Sequence, residues 1–373
     1  MKICYITTIS TTIKAFILPV LAHLKENTDW ELSVMCSEDP TLPALLPEGV
    51  RYIPVKMERG ISLSGIGAML KMIRIFRKEK FDLVQYSTPN AALYASIASW
   101  LAGVKIRLYH QMGLRYLGFT GISRFIFKTV ERFSCCLSSR IECVSPSNLA
   151  LGIAEGLFPA HKASVLHYGS SAGVDMQRFD HSRRELWRTQ VRQDLNIPED
   201  ACVFGFAGRI TKDKGINELI SAFSTLEDQT IRLLLVGNPE NADTLLAKAA
   251  QDCRVIYHEA VPDIERYFAA MDVLVLPSYR EGFGNIVIEA EAMGLPVIVS
   301  DMPGPTDAME EGETGLTVPV KDIGVLKIAL QTLLDLKKRE QMGTAGKAFV
   351  CERFDQQVLL NKILESRKSL LEE

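Results

Sequence analysis

Short apolar runs alternate with longer stretches of helical periodicity, and the alternation passes through this chain twice. In the first pass the apolar runs are KICYI (2–6), ELSVMC (31–36), VRYIPV (50–55), DLVQY (82–86), KIRLYH (105–110) and RIECVS (140–145). Between them, residues 15–25, 66–79, 91–101 and 123–137 carry apolar residues at helical spacing. The pattern restarts with the strands CVFGFAG (202–208), IRLLLVG (231–237), RVIYH (254–258), VLVLPS (273–278) and PVIVS (296–300). Helices are predicted between these over 216–223, 242–251, 264–271 and 285–293. Strands joined through helices must be parallel, and the helices cover both sheet faces. A last long helix is predicted over 326–342, and 354–373 has helical periodicity with no strand after it.

The predicted fold class is therefore α/β, built twice. A chain of 373 residues suits two domains, each with its own core. The polar stretch 181–200 marks the junction. Hydrophobic residues make up 47% and charged residues 23%, a composition that folds rather than stays disordered. A net charge of −3 gives no reason to expect a nucleic-acid partner. The eight cysteines form no CxxC pair and stand near no histidine at zinc spacing, so they read as buried thiols in a reducing compartment. A strand begins at residue 2 where a leader would lie, and no apolar run reaches the ~18–20 residues that cross a bilayer. The expected location is cytoplasmic, with the inner face of the membrane open to the protein.

Two segments carry the chemistry. In the first, Gly208-Arg209-Ile210-Thr211-Lys212-Asp213-Lys214-Gly215 follows a strand and opens a helix. Ligands of open α/β sheets lie at the carboxyl ends of strands. Gly208 lets backbone approach an anion there, and Arg209 and Lys214 supply two positive charges for a diphosphate. The same spacing also suits a solvated turn with surface cations. In the second, Glu281-Gly282-Phe283-Gly284-Asn285-Ile286-Val287-Ile288-Glu289 again joins a strand to a helix. The glycines place N–H groups at a helix N-terminus, where anions bind. Glu281 can accept from sugar hydroxyls, and Glu289, deeper in, from the two hydroxyls of a ribose. Each glutamate alone also suits an ordinary helix-end or helix-surface carboxylate.

Residues 203–320 resemble the donor domain of retaining glycosyltransferases of family four. The family pattern, G-R-x4-K-G followed by E-G-F-G-x4-E, is matched by Gly208-Arg209 with Lys214-Gly215, and by Glu281-Gly282-Phe283-Gly284 with Glu289. The runs Gly294-Leu295-Pro296-Val297-Ile298 and Gly312-Glu313-Thr314-Gly315-Leu316 match further family segments. So do Val144-Ser145-Pro146-Ser147 and Gly173-Val174-Asp175 with Phe179. The resemblance is strong from about residue 140 onward and weak before it.

That resemblance implies a GT-B fold, two Rossmann-like doubly wound domains facing across a cleft. The acceptor-binding domain would be 1–178, with a C-terminal helix 355–373 crossing back to it, and the donor-binding domain 179–354. Arg209 and Lys214 would bind the donor diphosphate and stabilise the leaving nucleoside diphosphate, Glu289 would hold the ribose, and Glu281 would face the sugar. The amides of Asn285, Ile286 and Val287, with Gly282, Phe283 and Gly284, would line the phosphate and sugar. The donor would be UDP-linked, the anomeric configuration retained, and neither metal nor cofactor needed.

The first loop departs from the family, reading Thr7 to Lys14 without a glycine. Its Thr11, Thr12 and Lys14 are candidate acceptor contacts. The tract His110-Gln111-Met112-Gly113-Leu114-Arg115 resembles an H-x-x-G-L-R stretch of bacterial transferases that build lipid-linked glycans. It implies a contact from His110 to the transferred sugar and from Arg115 to an acceptor phosphate; a structural histidine and a surface arginine fit equally well. Basic and aromatic residues interleave over 71–80 and 115–140, as they do on helices that rest on anionic membranes or pack on a sheet.

The expected activity is transfer of a sugar to a polyprenyl-diphosphate-linked saccharide in surface-glycan assembly. A soluble acceptor, or a catalytically silent sugar-nucleotide-binding subunit, are the alternatives. An epimerase of the same fold usually lacks the second motif, and a phosphorylase needs a longer chain with a cofactor-bearing lysine.

Overall fold

The structure, a computed structural model, describes residues 1–57 and 63–372. The chain divides into two units, Met1–Ala172 with Gln357–Glu373, and Gly173–Gln356. The first unit holds β1 (Lys2–Ile6), β2 (Glu31–Cys36), β3 (Arg51–Pro54), β4 (Leu83–Ser87), β5 (Ile106–Gln111), β6 (Arg140–Cys143) and β7 (Ala163–Val165), in the order β3-β2-β1-β4-β5-β6-β7. All of these pairings are parallel. Strand β1 shows why the sheet needs helices on both sides. Its side chains alternate, so Ile3 and Tyr5 enter one core with Val34 and Leu83, while Cys4 and Ile6 enter the other with Met35 and Tyr86. The first of these cores also takes in Leu359, Leu360 and Ile363 of the C-terminal helix Gln356–Glu372.

The second unit holds β8 (Val203–Ala207), β9 (Arg232–Val236), β10 (Val255–His258), β11 (Val273–Leu276), β12 (Val297–Ser300) and β13 (Gly315–Val318), in the order β10-β9-β8-β11-β12-β13. It too is parallel throughout. Both sheets reverse direction once, between β1 and β4 in the first unit and between β8 and β11 in the second. Ligands of such sheets sit outside the strand ends at that reversal.

The structure corrects the sequence reading in four places. Residues 10–14, expected to be loop, are already helical, with a π-helical turn over Ile13–Ile17 leading into the helix Leu18–Asn27. The polar stretch 181–200 contains the helix Arg184–Asp194, packed into the second unit. Its Arg192 is almost fully buried and donates to the carbonyls of Ala270, Pro198, Glu199 and Ala201 and to the Asp272 carboxylate. A buried arginine satisfied in this way looks like surface polarity in sequence. The predicted long helix 326–342 is two helices, Ile323–Thr332 and Leu336–Arg353, and the second starts where Asp335 accepts from the Lys338 N–H at 3.2 Å. Strands β7 and β13 lie in segments that the sequence reading left without an element.

Candidate active site

In the second unit, the two motif loops leave β8 and β11, the strands on either side of the reversal. The backbone ties the loops together. The Tyr279 N–H donates to the Asp213 carbonyl at 2.8 Å, and Arg280 donates to the Asp213 carboxylate at 3.1 Å. The Tyr279 hydroxyl donates to Glu218 at 2.6 Å. Gly215 sits where the loops touch, at φ +70°; a Cβ there would lie 2.0 Å from the Pro277 carbonyl oxygen. At Gly237, φ +153°, a Cβ would lie 1.7 Å from the Gly208 carbonyl oxygen. Only glycine permits these backbone approaches.

On this frame Lys214 and Glu281 form an ion pair, both side chains being mostly covered. Arg209 pairs with Glu240 at 2.8 Å, with both side chains about half exposed. An anionic diphosphate would compete with Glu281 for Lys214 and with Glu240 for Arg209. Gly284, at φ +93°, caps the helix Asn285–Ala292. The Val287 N–H donates to the Gly284 carbonyl at 2.8 Å, so that amide is engaged by the helix itself. The Phe283 ring is buried against Phe354, with centroids 5.3 Å apart, so its side chain belongs to the core. Glu289 lies one turn further in. Burial pushes its carboxyl up to about 7; Arg178 opposes that shift, and Glu265 adds to it.

The first unit places its polar groups differently. At the β1–β4 reversal the Thr8 N–H donates to the Thr88 hydroxyl at 3.1 Å, and the two hydroxyls meet at 2.8 Å. Thr88 has φ +72° just before Pro89 opens a helix. Of the predicted acceptor contacts, Thr11 is exposed and Thr12 partly covered on the first helical turn. Lys14 is bound to Asp39 at 2.8 Å and to the Thr41 hydroxyl at 2.8 Å. Hydrogen bonds from Lys14, Ser10 and Thr41 hold the Asp39 carboxyl well below the usual range. Arg115 donates to the Asn90 side chain at 3.3 Å, and its guanidinium lies 4.5 Å from the Phe127 ring centroid.

His110 is buried near the end of β5, and its Nδ1 is 2.9 Å from Glu142 on β6. Glu142 accepts two further bonds from Arg367 of the C-terminal helix, at 2.6 and 2.9 Å. Arg367 also donates to Gln85 at 2.9 Å. Burial alone would raise the Glu142 carboxyl, but Arg367 and His110 together hold it below the ordinary range. Sequence reading singled out His110 but not its neighbours Glu142, Arg367 and Gln85, nor Glu240 beside Arg209. Two signals were present: a glutamate inside the apolar strand RIECV, and an arginine on the same helix face as Leu360 and Ile363.

Two all-parallel units, each with one reversal of strand order, are doubly wound α/β sheets, and the second carries paired cations and carboxylates at its reversal. Residues 188–349 match the family model for glycosyl transferases group 1, and residues 2–145 match glycosyl transferase 4-like. A capsular polysaccharide biosynthesis glycosyltransferase of Staphylococcus aureus, CapM, is 31% identical over 100% of this chain and 98% of its own. The N,N'-diacetylbacillosaminyl-diphospho-undecaprenol alpha-1,3-N-acetylgalactosaminyltransferase of Campylobacter jejuni is 24% identical over 98% of both chains. The solved structure of Anabaena HepE in complex with UDP-glucose superposes with a TM-score of 0.80 at 21% identity, covering 99% of this chain and 100% of that one. The chain belongs to the family-four glycosyltransferases of the GT-B fold and is related to bacterial transferases of capsule and lipid-linked glycan assembly.

Proposed function

We propose that this enzyme transfers a sugar from a UDP-sugar to a polyprenyl-diphosphate-linked saccharide, with retention of configuration. The observation that carries the donor half is the meeting of the Gly208–Gly215 and Pro277–Asn285 segments at one sheet reversal, with Lys214 beside Glu281 and Glu289 one turn deeper. In this reading Lys214 and Arg209 exchange their carboxylate partners for the diphosphate. Glu289 accepts from the ribose hydroxyls, and Glu281 and the backbone of Gly282 to Ile286 face the sugar and phosphate. HepE, bound to UDP-glucose, supports a UDP-linked donor.

The acceptor hydroxyl oxygen bonds to the anomeric carbon on the face from which the diphosphate departs, and a departing phosphate oxygen takes the hydroxyl proton. Negative charge grows on the diphosphate as its bond breaks, so Arg209 and Lys214 stabilise the transition state more than the bound donor. In this proposal side chains, and not a metal, take that role.

The lipid-linked acceptor is supported by the Campylobacter relative, whose name specifies a diphospho-undecaprenol substrate. It is supported also by the helix Gly121–Leu137, which exposes Ile122 (80%) and Phe125 (71%). Among the described residues no helix is long and apolar enough to cross a membrane, so contact with the bilayer would be peripheral. Thr11, Thr12, Lys14 and Arg115 remain the proposed acceptor contacts of the first unit, and His110 its contact to the transferred sugar.

The test is turnover of labelled UDP-sugars on a polyprenyl-diphosphate-linked saccharide, with NMR of the product linkage. A product of the same anomeric configuration as the donor is expected. Inversion, or transfer to soluble acceptors alone, would overturn the reading.

A further inference from the structure

Five side chains on one face of the first sheet form a buried polar row. Register pairs Tyr5 of β1 with Gln85 of β4, and His110 of β5 with Glu142 of β6; Ser87, two residues beyond Gln85, pairs with His110. Parallel register partners point to the same face, and residues two apart along a strand share it. The C-terminal helix packs on that face through Leu359, Leu360 and Ile363, and one turn past Ile363 it delivers Arg367. The guanidinium forks onto both Glu142 oxygens at 2.6 and 2.9 Å and reaches Gln85 at 2.9 Å. Arg367 and Glu142 are both under 5% exposed. The Tyr5 hydroxyl lies beside Arg367, and burial pushes that phenol up to about 12, so it stays neutral. Tyr5, Gln85 and Ser87 thus carry no charge, and the charges of Arg367 and Glu142 cancel.

We propose that Glu142 and Arg367 are positioning residues that hold His110 in the tautomer with its proton on Nδ1. Glu142 can only accept, so the 2.9 Å contact places the Nδ1 proton between ring and carboxylate. In the neutral ring Nε2 is then a lone-pair acceptor, and it has no partner among the described residues. Such a nitrogen takes a hydrogen bond from a substrate hydroxyl, which fits a sugar and not an anionic oxygen. Arg367 neutralises the carboxylate, so the row orients the ring while no uncompensated charge faces it. A carboxylate that fixes a histidine tautomer is a known device for orienting catalytic imidazoles. Here its counter-ion comes from the last helix of the chain, so the C-terminal segment shapes the chemistry of the site as well as covering a core. The proposal rests on the reading of His110 as a substrate contact.

The experiment combines 15N-histidine NMR with kinetics on the full-length protein. The His110 signal, among six histidines, is assigned by its loss in His110→Ala. The wild type should show a protonated Nδ1 and an unprotonated Nε2. Glu142→Gln presents an amide that donates as well as accepts, so the opposite tautomer should appear and kcat should fall by ~10- to 10⁴-fold. Arg367→Gln keeps an accepting carboxylate beside Nδ1 but frees it to move, so the tautomer should hold while kcat falls, with Arg367→Lys restoring part of the loss; UDP affinity should change less than about threefold in each. A purely structural role would move the melting temperature and leave tautomer and kcat alone. Should Arg367→Gln not fold, Glu142→Gln, which keeps the volume and removes the charge, decides. An unchanged tautomer and kcat in Glu142→Gln, with His110→Ala impaired, overturns the positioning role. A normal kcat in His110→Ala instead removes His110 from the substrate site, a failure of the underlying reading and not of the row.

Discussion

Donor binding should be pH-dependent through Glu289, and the size of the effect follows from the site. The free carboxyl titrates at about 7, against an ordinary 4.5, because burial disfavours its charge; Arg178 counters this in part and Glu265 reinforces it. A ribose diol donates two hydrogen bonds and so selects the carboxylate. If the bound carboxyl titrates well below 6, apparent Kd scales as 1 + 10^(7 − pH), which is about 11 at pH 6 and about 1.1 at pH 8. Affinity should therefore rise about tenfold between those values, about 1.4 kcal/mol, and level off above. Roughly nine-tenths of a proton should be released per donor bound at pH 6, and half a proton at pH 7.

The sign for stability is opposite. A carboxyl raised in the folded state contributes stability below about 4.5 and loses it as pH rises through about 7. The donor-free protein should thus weaken over that window, and the donor should restore more at pH 8 than at pH 6. Calorimetry in two buffers of different ionisation enthalpy, with a nucleotide sugar that has no titrating terminal phosphate, gives affinity and proton count together. Glu289→Gln should flatten both. A pH-independent wild-type affinity, or an identical slope in the variant, would refute the assignment of Glu289 to the ribose.

Arg209→Ala should lower kcat by on the order of 10²–10³-fold, while its half-exposed pair with Glu240 makes the cost in stability under about 1 kcal/mol, read by thermal melts beside steady-state rates. Lys214→Ala should lose a similar factor in kcat and more stability, because Glu281 is left mostly covered and unpaired. Gly215→Ala should abolish nucleotide binding and unfold part of the second unit, since its Cβ would meet the Pro277 carbonyl oxygen at 2.0 Å; an ordinary UDP-induced thermal shift in this variant would show that the loops tolerate separation. Flotation on anionic vesicles should fall on replacing Ile122 and Phe125 by serine and should weaken with salt. Lys128 is a poor choice for that test, because it is held by Glu155 at 2.7 Å and its loss would disturb packing; equal flotation of wild type and the serine variant would remove this helix from the membrane contact.

The parts of this protein that sequence reveals are those whose physics is local. Parallel strands buried on both faces are mostly apolar, so β1, β8, β9, β11 and β12 stand out as runs such as KICYI and LLLV. The two loops proposed to bind the donor are legible for a related reason, since glycines, cations and carboxylates at fixed spacing serve one strand-to-helix turn each. What escaped was non-local. Arg192 reads as a surface residue until the carbonyls of a neighbouring helix and loop close around it. Arg367 and Glu142 are 225 residues apart in sequence and meet only because the last helix returns to the first sheet. Glu240 lies on the turn after β9 and finds Arg209 across the sheet end. The basic tract 115–140 shows the same limit in reverse. Its cations look free in sequence, yet Arg124 and Lys128 converge on Glu155 at 3.0 and 2.7 Å, and Arg115 is stacked on Phe127. That leaves Arg132 and the exposed aromatic and aliphatic side chains, the latter more numerous, as the features with which this helix would meet a membrane. Electrostatic attraction should then be the smaller part of binding, and neutral vesicles should retain a measurable fraction of the protein at high salt.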